Sequence, residues 1–322
     1  QGIDLTVKGL ILHLYKRYLW IVHMHWPSLS LYLFSSTMLM VINPVLFGRY
    51  HWPSALLLTA LQNIGMVVLC CMKEPWRNLL SGLRSRTLLL VAHLSVINIV
   101  FGMMGSSFMS LAMFTALRRI SIACTMYGNT WAGNAPWPSR EVQCCVWVMI
   151  VAAGFSAYRD AVFDVLLYTY VMINNVCTAA VQVGTKTVLG DVSKWQLLFV
   201  SAVVNWVWAL VMIRSDDVVS ITWSLPLLVA LVASCVGGVC INVSAAWVIE
   251  KDGPLVLAMG GASKNIVVGL LSVLGLAGAR YVYDFWNVIG LCVAAGASLV
   301  YVKVKHQPVS KVQIHDGVDS KV

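Results

Sequence analysis

Residues 111–120 read LAMFTALRRI, and residues 257–266 read LAMGGASKNI. Five of the ten aligned positions are identical, and Arg118 aligns with Lys264. Each copy lies in a long apolar stretch, so each places a cation well inside a candidate membrane span. The pair of stretches indicates that the chain is built from two related halves, and this prediction decides the expected fold.

The composition is that of an integral membrane protein. Hydrophobic types make up 59% of the 322 residues and charged types 11%, whereas soluble domains carry about 25% charged residues. A spanning helix needs about 20 mostly apolar residues. We therefore expect an all-α fold with ten transmembrane helices, at Leu29–Phe47, Ala55–Met72, Leu88–Ser107, Ser110–Gly128, Val142–Tyr158, Phe163–Val183, Trp195–Ile213, Trp223–Ile249, Pro254–Leu276 and Phe285–Val302.

The two copies of the repeat lie in the fourth and ninth predicted spans, which are the fourth helices of two five-helix halves. Because five is odd, the halves run in opposite directions through the membrane. Such inverted repeats are typical of secondary transporters, whose substrate site lies at the midplane between the halves. Arg118 and Lys264 are therefore expected to converge on one ligand.

The distribution of Lys and Arg predicts the orientation, because cytosolic loops carry an excess of both. With a cytosolic N-terminus, fifteen basic residues fall on the cytosolic side and four on the other. Both termini are therefore expected in the cytosol. Residues 1–28 are expected to form a basic amphipathic segment, residues 29–303 the transporter domain, and residues 304–322 a disordered basic tail.

Three basic residues fall near the middle of a predicted span, namely Arg118, Arg119 and Lys264, and none of the thirteen acidic residues does. A charge at bilayer depth normally faces a cavity or a partner. The missing counter-ion is therefore expected to be an anionic substrate; snorkelling or pairing with backbone carbonyls is the alternative. On an ideal helix Arg119 points about 100° away from Arg118, so we expect Arg118 to face the site.

The run Met113-Phe-Thr-Ala-Leu-Arg-Arg-Ile-Ser-Ile122 resembles the fourth-span motif of nucleotide-sugar transporters of the drug/metabolite transporter superfamily. Gly261-Ala-Ser-Lys-Asn-Ile266 resembles their ninth-span motif, and Asn174-Asn175 falls where their sixth span carries an Asn. The resemblance implies substrate-binding roles for Thr115, Arg118, Arg119, Asn174, Asn175, Gly261, Ser263, Lys264 and Asn265.

Departures from the family pattern bear on the substrate. GDP-mannose carriers have Phe-Tyr-Asn-Asn in span seven, where this chain reads Phe199-Val-Ser-Ala202, and Leu-Asn before the ninth-span Lys, where it reads Ala-Ser. Family members often carry Asn-Lys where this chain has Asn43-Pro44. A UDP-sugar is therefore favoured over GDP-mannose. The resemblance also implies exchange for a nucleoside monophosphate, and a Golgi or endoplasmic reticulum membrane.

Other function classes stay open. A proton-coupled metabolite exporter normally needs a mid-span acid, and this sequence has none. A triose-phosphate-type organic-phosphate antiporter would share the need for intramembrane cations. The sequence shows no cluster typical of an enzyme, no zinc spacing and no basic stripe for nucleic acid, so no enzyme activity, cofactor, metal or nucleic-acid partner is expected. A homodimer stays open. Four aromatics are candidates for stacking on the base, although a role at the membrane interface is favoured for each: Tyr127, Tyr168, Tyr170 and Trp247.

Overall fold

The structure is a computed structural model, and it describes residues 26–108, 111–157, 164–213, 221, 223–261, 289–290, 293–294, 296–297 and 300–301. These residues form α-helices joined by short turns. The helices are α1 (Trp26–Gly48), α2 (Ala55–Lys73), α3 (Trp76–Ser81), α4 (Arg86–Phe108), α5 (Leu111–Leu117), α6 (Ile120–Trp131), α7 (Arg140–Ala157), α8 (Val165–Val188), α9 (Lys194–Met212), α10 (Leu225–Asp252) and α11 (residues 254–261).

Within the described residues the expected all-helical class is confirmed, and six helices there are long and apolar enough to cross a membrane: α1, α2, α4, α8, α9 and α10. They match the first three predicted spans and the sixth to eighth. Helix α7 covers the fifth predicted span, while α5 and α6 divide the fourth between them. Most of the ninth and tenth spans, the N-terminal segment before residue 26 and the C-terminal tail lie outside the described residues.

Helices α4 and α8 pack closely together, because glycines at their contact leave room for side chains of the facing helix. A Cβ added to Gly184 would lie 2.6 Å from Cγ2 of Val91, and one added to Gly102 would lie 2.9 Å from Nδ2 of Asn174. Small residues of this kind let the backbones of membrane helices approach closely. The second approach brings the Asn174 amide against the backbone of α4.

The largest apolar cluster fills the space between α2, α4 and α9. Phe199 is 1% exposed at its centre, and its ring packs edge-on against Trp76 with centroids 5.5 Å apart. Large apolar side chains also point outward: Leu90 is 60% exposed and Val211 is 71% exposed. Hydrocarbon is the environment that suits these outward faces, because in water they would form large apolar patches.

Helix ends are capped by side chains next to the spans. The Asp164 carboxylate accepts from the amides of Leu166 and Leu167 at 2.9 and 3.3 Å. Ser193 and Gln196 form a reciprocal capping box at the start of α9. Such caps satisfy backbone donors that a helix leaves free in its first turn. They fix where α8 and α9 begin.

Candidate functional site

The fourth predicted span is interrupted at Arg118 and Arg119, between α5 and α6. There the amides of Ser121 and Ile122 donate to the carbonyls of Arg118 and Arg119, three residues back, at 3.1 and 3.0 Å. In a regular α-helix Ser121 would donate to Leu117 instead. The junction is therefore a tightened, 3₁₀-like turn, which often marks a functional hinge.

The side chain of Asn175 occupies the position that the tightened turn leaves open. Its Nδ2 donates to the carbonyl of Leu117 at 2.9 Å, and the residue is fully buried in α8. The Leu117 carbonyl thus receives its hydrogen bond from a side chain 58 positions further along the chain.

The neighbouring Asn174 faces α4 and is committed there. Its Nδ2 donates to the backbone carbonyl and to Oδ1 of Asn98 at 2.6 and 2.8 Å, and Thr178 donates to the same Oδ1 at 2.6 Å. We call Asn98, Asn174, Asn175 and Thr178 the amide cluster. Both asparagines implied by the family resemblance therefore use their amide nitrogens to join helices.

The two adjacent arginines lie in opposite environments. The Arg118 side chain is exposed, and its guanidinium carbon lies 5.6 Å from the ring centroid of Phe114. Arg119 is 5% exposed, and its Nε and Nη1 have no hydrogen-bond partner within the described part of the chain. Arg118 therefore faces open space and Arg119 faces packed protein, and the expectation that Arg118 faces the substrate site stays a prediction.

Tyr32 of α1 connects this turn with the second half of the chain. Its phenol lies within electrostatic range of the Arg118 guanidinium. The same hydroxyl would lie 3.3 Å from a Cβ added to Gly261, and Cδ1 of Leu29 would lie 2.9 Å from a Cβ added to Gly260. The two glycines of α11 therefore leave room for side chains of α1.

The remaining sequence candidates are only partly visible. Ser263, Lys264 and Asn265 lie outside the described residues, and so does the side chain of Thr115. The structure therefore relates Tyr32 both to Gly261, by close approach, and to Arg118, by electrostatics. The convergence of Arg118 with Lys264 stays a prediction.

A cavity of about 160 Å³ lies between α2, α4, α8, α9 and α10, towards the end where α10 finishes. Asn63 and Asn242 donate to carbonyls of their own helices at 2.8 and 2.9 Å. Oδ1 of Asn205 is buried without a partner among the described residues. Polar side chains supply much of the lining: Asn63, Ser95, Gln182, Thr185, Ser201, Asn205 and Asn242. We call this the amide-lined cavity.

Lysines converge at the same end of the molecule. Lys194 pairs with the Glu250 carboxylate at 3.2 Å, and Lys186 donates to the Glu250 carbonyl at 2.7 Å. The ammonium groups of Lys194 and Lys251 lie 5.1 and 5.6 Å from the ring centroid of Trp247. These contacts join the ends of α8, α9 and α10.

Three of the four aromatic candidates pack against other side chains. The rings of Tyr127 and Trp137 lie 5.9 Å apart, and Tyr170 packs on Phe101 at 5.7 Å. Trp247 belongs to the lysine contacts. Sequence reasoning missed Tyr32 and the cavity amides, because it searched the spans for charge. Uncharged amides inside apolar spans are the sequence signal that could have indicated the cavity residues, whereas no sequence signal indicated Tyr32.

The chain is similar in sequence to known transporters, although no protein-family model matches it. The chain is 30% identical over 289 residues to the UDP-sugar transporter UST74c of Drosophila melanogaster, covering 86% of this chain and 77% of the relative. It is 28% identical to the UDP-sugar transporter sqv-7 of Caenorhabditis elegans, covering 84% and 85%. It is 26% identical to the human nucleotide sugar transporter SLC35D2, covering 65% and 64%.

A solved crystal structure shares the fold. Its TM-score is 0.60 over 85% of this chain and 97% of the solved chain, at 15% sequence identity. At that identity the likeness concerns the path of the helices alone.

Proposed function

This chain belongs to the nucleotide-sugar transporter family, and from that membership we propose that it exchanges a nucleotide sugar for a nucleoside monophosphate by alternating access. A UDP-sugar is the favoured substrate and GDP-mannose the second. Two relatives that carry the words UDP-sugar transporter in their names support this order. So does the departure from the GDP-mannose pattern at Phe199–Ala202.

The observation that carries the proposal is the exposed guanidinium of Arg118, which lies within electrostatic range of Tyr32, whose hydroxyl in turn lies close to Gly261. The pyrophosphate of a nucleotide sugar bears about two negative charges. A guanidinium binds phosphate oxygens through a planar fork, and an ammonium acts as a point charge. Arg118 and Lys264 would thus hold the pyrophosphate from the two halves of the repeat.

The other motif residues would complete the site around these cations. Thr115 precedes Arg118 by about one helical turn, while Ser263 and Asn265 flank Lys264. Gly261 would leave room for Tyr32 and the ligand. In this proposal Arg119, Asn174 and Asn175 hold the helices that form the site and do not contact the ligand, in keeping with their burial.

The proposed architecture is ten spans in two inverted five-helix halves, with both termini in the cytosol and residence in the Golgi membrane. The described helices and the fifteen-to-four asymmetry of basic residues support it. In this orientation the lysine contacts around Glu250 and the amide-lined cavity lie on the cytosolic side.

Strict exchange follows from electrostatics. Two cations without a protein counter-ion are costly at the midplane, so an empty carrier would change state slowly. A carrier loaded with nucleotide sugar or monophosphate would change state readily, because the ligand neutralises the cations. No mid-span carboxylate is present to carry a proton.

Counterflow in proteoliposomes tests the proposal. Vesicles preloaded with UMP, GMP or CMP are given labelled UDP-, GDP- and CMP-sugars, with triose phosphate as the competing substrate class. We expect uptake of a UDP-sugar that internal UMP stimulates and that survives collapse of the proton gradient. Exchange of triose phosphate instead would favour the organic-phosphate antiporter, and uptake that requires a proton gradient would favour the exporter.

A further inference from the structure

The tightened turn in span four depends on a donor from another helix. The carbonyl of Leu117 has lost its intrahelical partner, because the Ser121 amide donates to Arg118. The bilayer core offers no water to satisfy such a group, so the lost bond must be replaced within the protein. Nδ2 of Asn175 replaces it at 2.9 Å.

The turn decides how the two arginines are presented. Successive residues are about 100° apart around an α-helix and about 120° apart around a 3₁₀-helix. The wider angle helps to keep Arg118 exposed while Arg119 is buried. Without its outside donor, the turn would regain a regular bond from Ser121 to Leu117, and α5 would rotate relative to α6.

Resting on the proposed function, we propose that Asn175 is a positioning residue that holds this turn and thereby aims Arg118 at the phosphates of the substrate. Its amide nitrogen is committed to the Leu117 carbonyl, and the residue is fully buried. It therefore acts on the ligand through Arg118.

The test uses Asn175→Leu and Asn175→Ala, which both remove the donor. Thr178→Val is the matched control, because it removes one hydrogen bond of the same helix to Asn98 and leaves the turn intact. Thermal stabilisation of the purified full chain by UMP and by uridine gives both affinities. We expect the Asn175 variants to weaken UMP binding about tenfold and leave uridine binding unchanged, since loss of a charged hydrogen bond has that size. Thr178→Val should keep the wild-type ratio of UMP to uridine affinity.

A measurement without ligand accompanies it. Hydrogen–deuterium exchange of the segment 114–122 should be faster in Asn175→Leu than in the wild type and in Thr178→Val. An unchanged affinity ratio, or unchanged exchange in this segment, overturns the positioning role. If the wild type binds no nucleotide, the proposed function fails, while the exchange measurement still decides whether Asn175 holds the turn. If Asn175→Leu does not fold, the smaller substitution Asn175→Ala decides the same question.

Discussion

Two groups of asparagines inside the membrane region use their amides differently. In the amide cluster the side chains of Asn174 and Asn175 donate across to α4 and α5. Around the amide-lined cavity, Asn63 and Asn242 donate only to their own helices. Interhelical hydrogen bonds of this kind contribute to helix association in membranes. The amide nitrogens of the cluster therefore join helices, whereas those of Asn63 and Asn242 do not.

The largest expected effect lies at the turn that the cluster supports. Arg118→Gln and Lys264→Gln should each lower the apparent affinity for the nucleotide sugar about ten- to hundredfold, since a charged hydrogen bond contributes about 1.5–3 kcal/mol. Counterflow uptake measures the loss. Arg119→Gln is the matched control, because it removes the adjacent, buried cation. If Arg119→Gln abolishes exchange while Arg118→Gln does not, the face assigned to the substrate is wrong.

Removing a cluster amide should affect stability more than binding. Asn174→Leu breaks two bonds to Asn98, while Thr178 still donates to the Asn98 Oδ1. We expect a loss of about 1–2 kcal/mol in the free energy of unfolding, with nucleotide affinity within about twofold of the wild type. Thermal unfolding of purified protein measures the first quantity, and UMP titration measures the second. A large affinity loss at unchanged stability would move Asn174 into the binding site.

Removing a cavity amide should have the opposite signature. Asn242→Leu breaks only a bond within α10, to Gly238. If the cavity receives part of the substrate, affinity should fall by about 0.5–1.5 kcal/mol, which is roughly two- to twelvefold, at nearly constant unfolding temperature. The same titration and unfolding experiments apply. Destabilisation without any loss of affinity would remove the contrast between the two groups.

The smallest effect is expected at the lysine contacts. Lys194 and Glu250 are 24% and 40% exposed, and a partly exposed pair contributes about 0–1 kcal/mol. Glu250→Gln should therefore change the unfolding temperature little, yet raise the rate of counterflow if opening of this end limits transport. The Lys186 bond to the Glu250 carbonyl persists in this variant. A slower rate would show that the pair assists transport in another way.

The lengths of the apolar stretches predicted the long helices well, because such a stretch is a local property that can be read directly from the sequence. The second span, expected at Ala55–Met72, is the helix Ala55–Lys73. The interruption at Arg118 was not predicted, because residues 111–121 contain neither Pro nor Gly and the donor that stabilises it lies in α8.

The charged residues of the candidate site could be predicted from the sequence, whereas its neutral residues could not. Cations inside apolar spans indicated Arg118 from the sequence alone. The contact of Tyr32 with the region of Arg118 and Gly261 depends on how α1 packs against α11, which no local pattern encodes.

The interrupted span also bears on how the chain is made. Two adjacent arginines each oppose insertion of a helix by about 2.5–3.5 kcal/mol at its centre, and α5 and α6 are both too short to cross alone. The donor for Leu117 is synthesised 58 residues later. We therefore expect the fourth predicted span to enter the bilayer before its hydrogen bonding is complete, and to reach its final form only after the ribosome has produced α8.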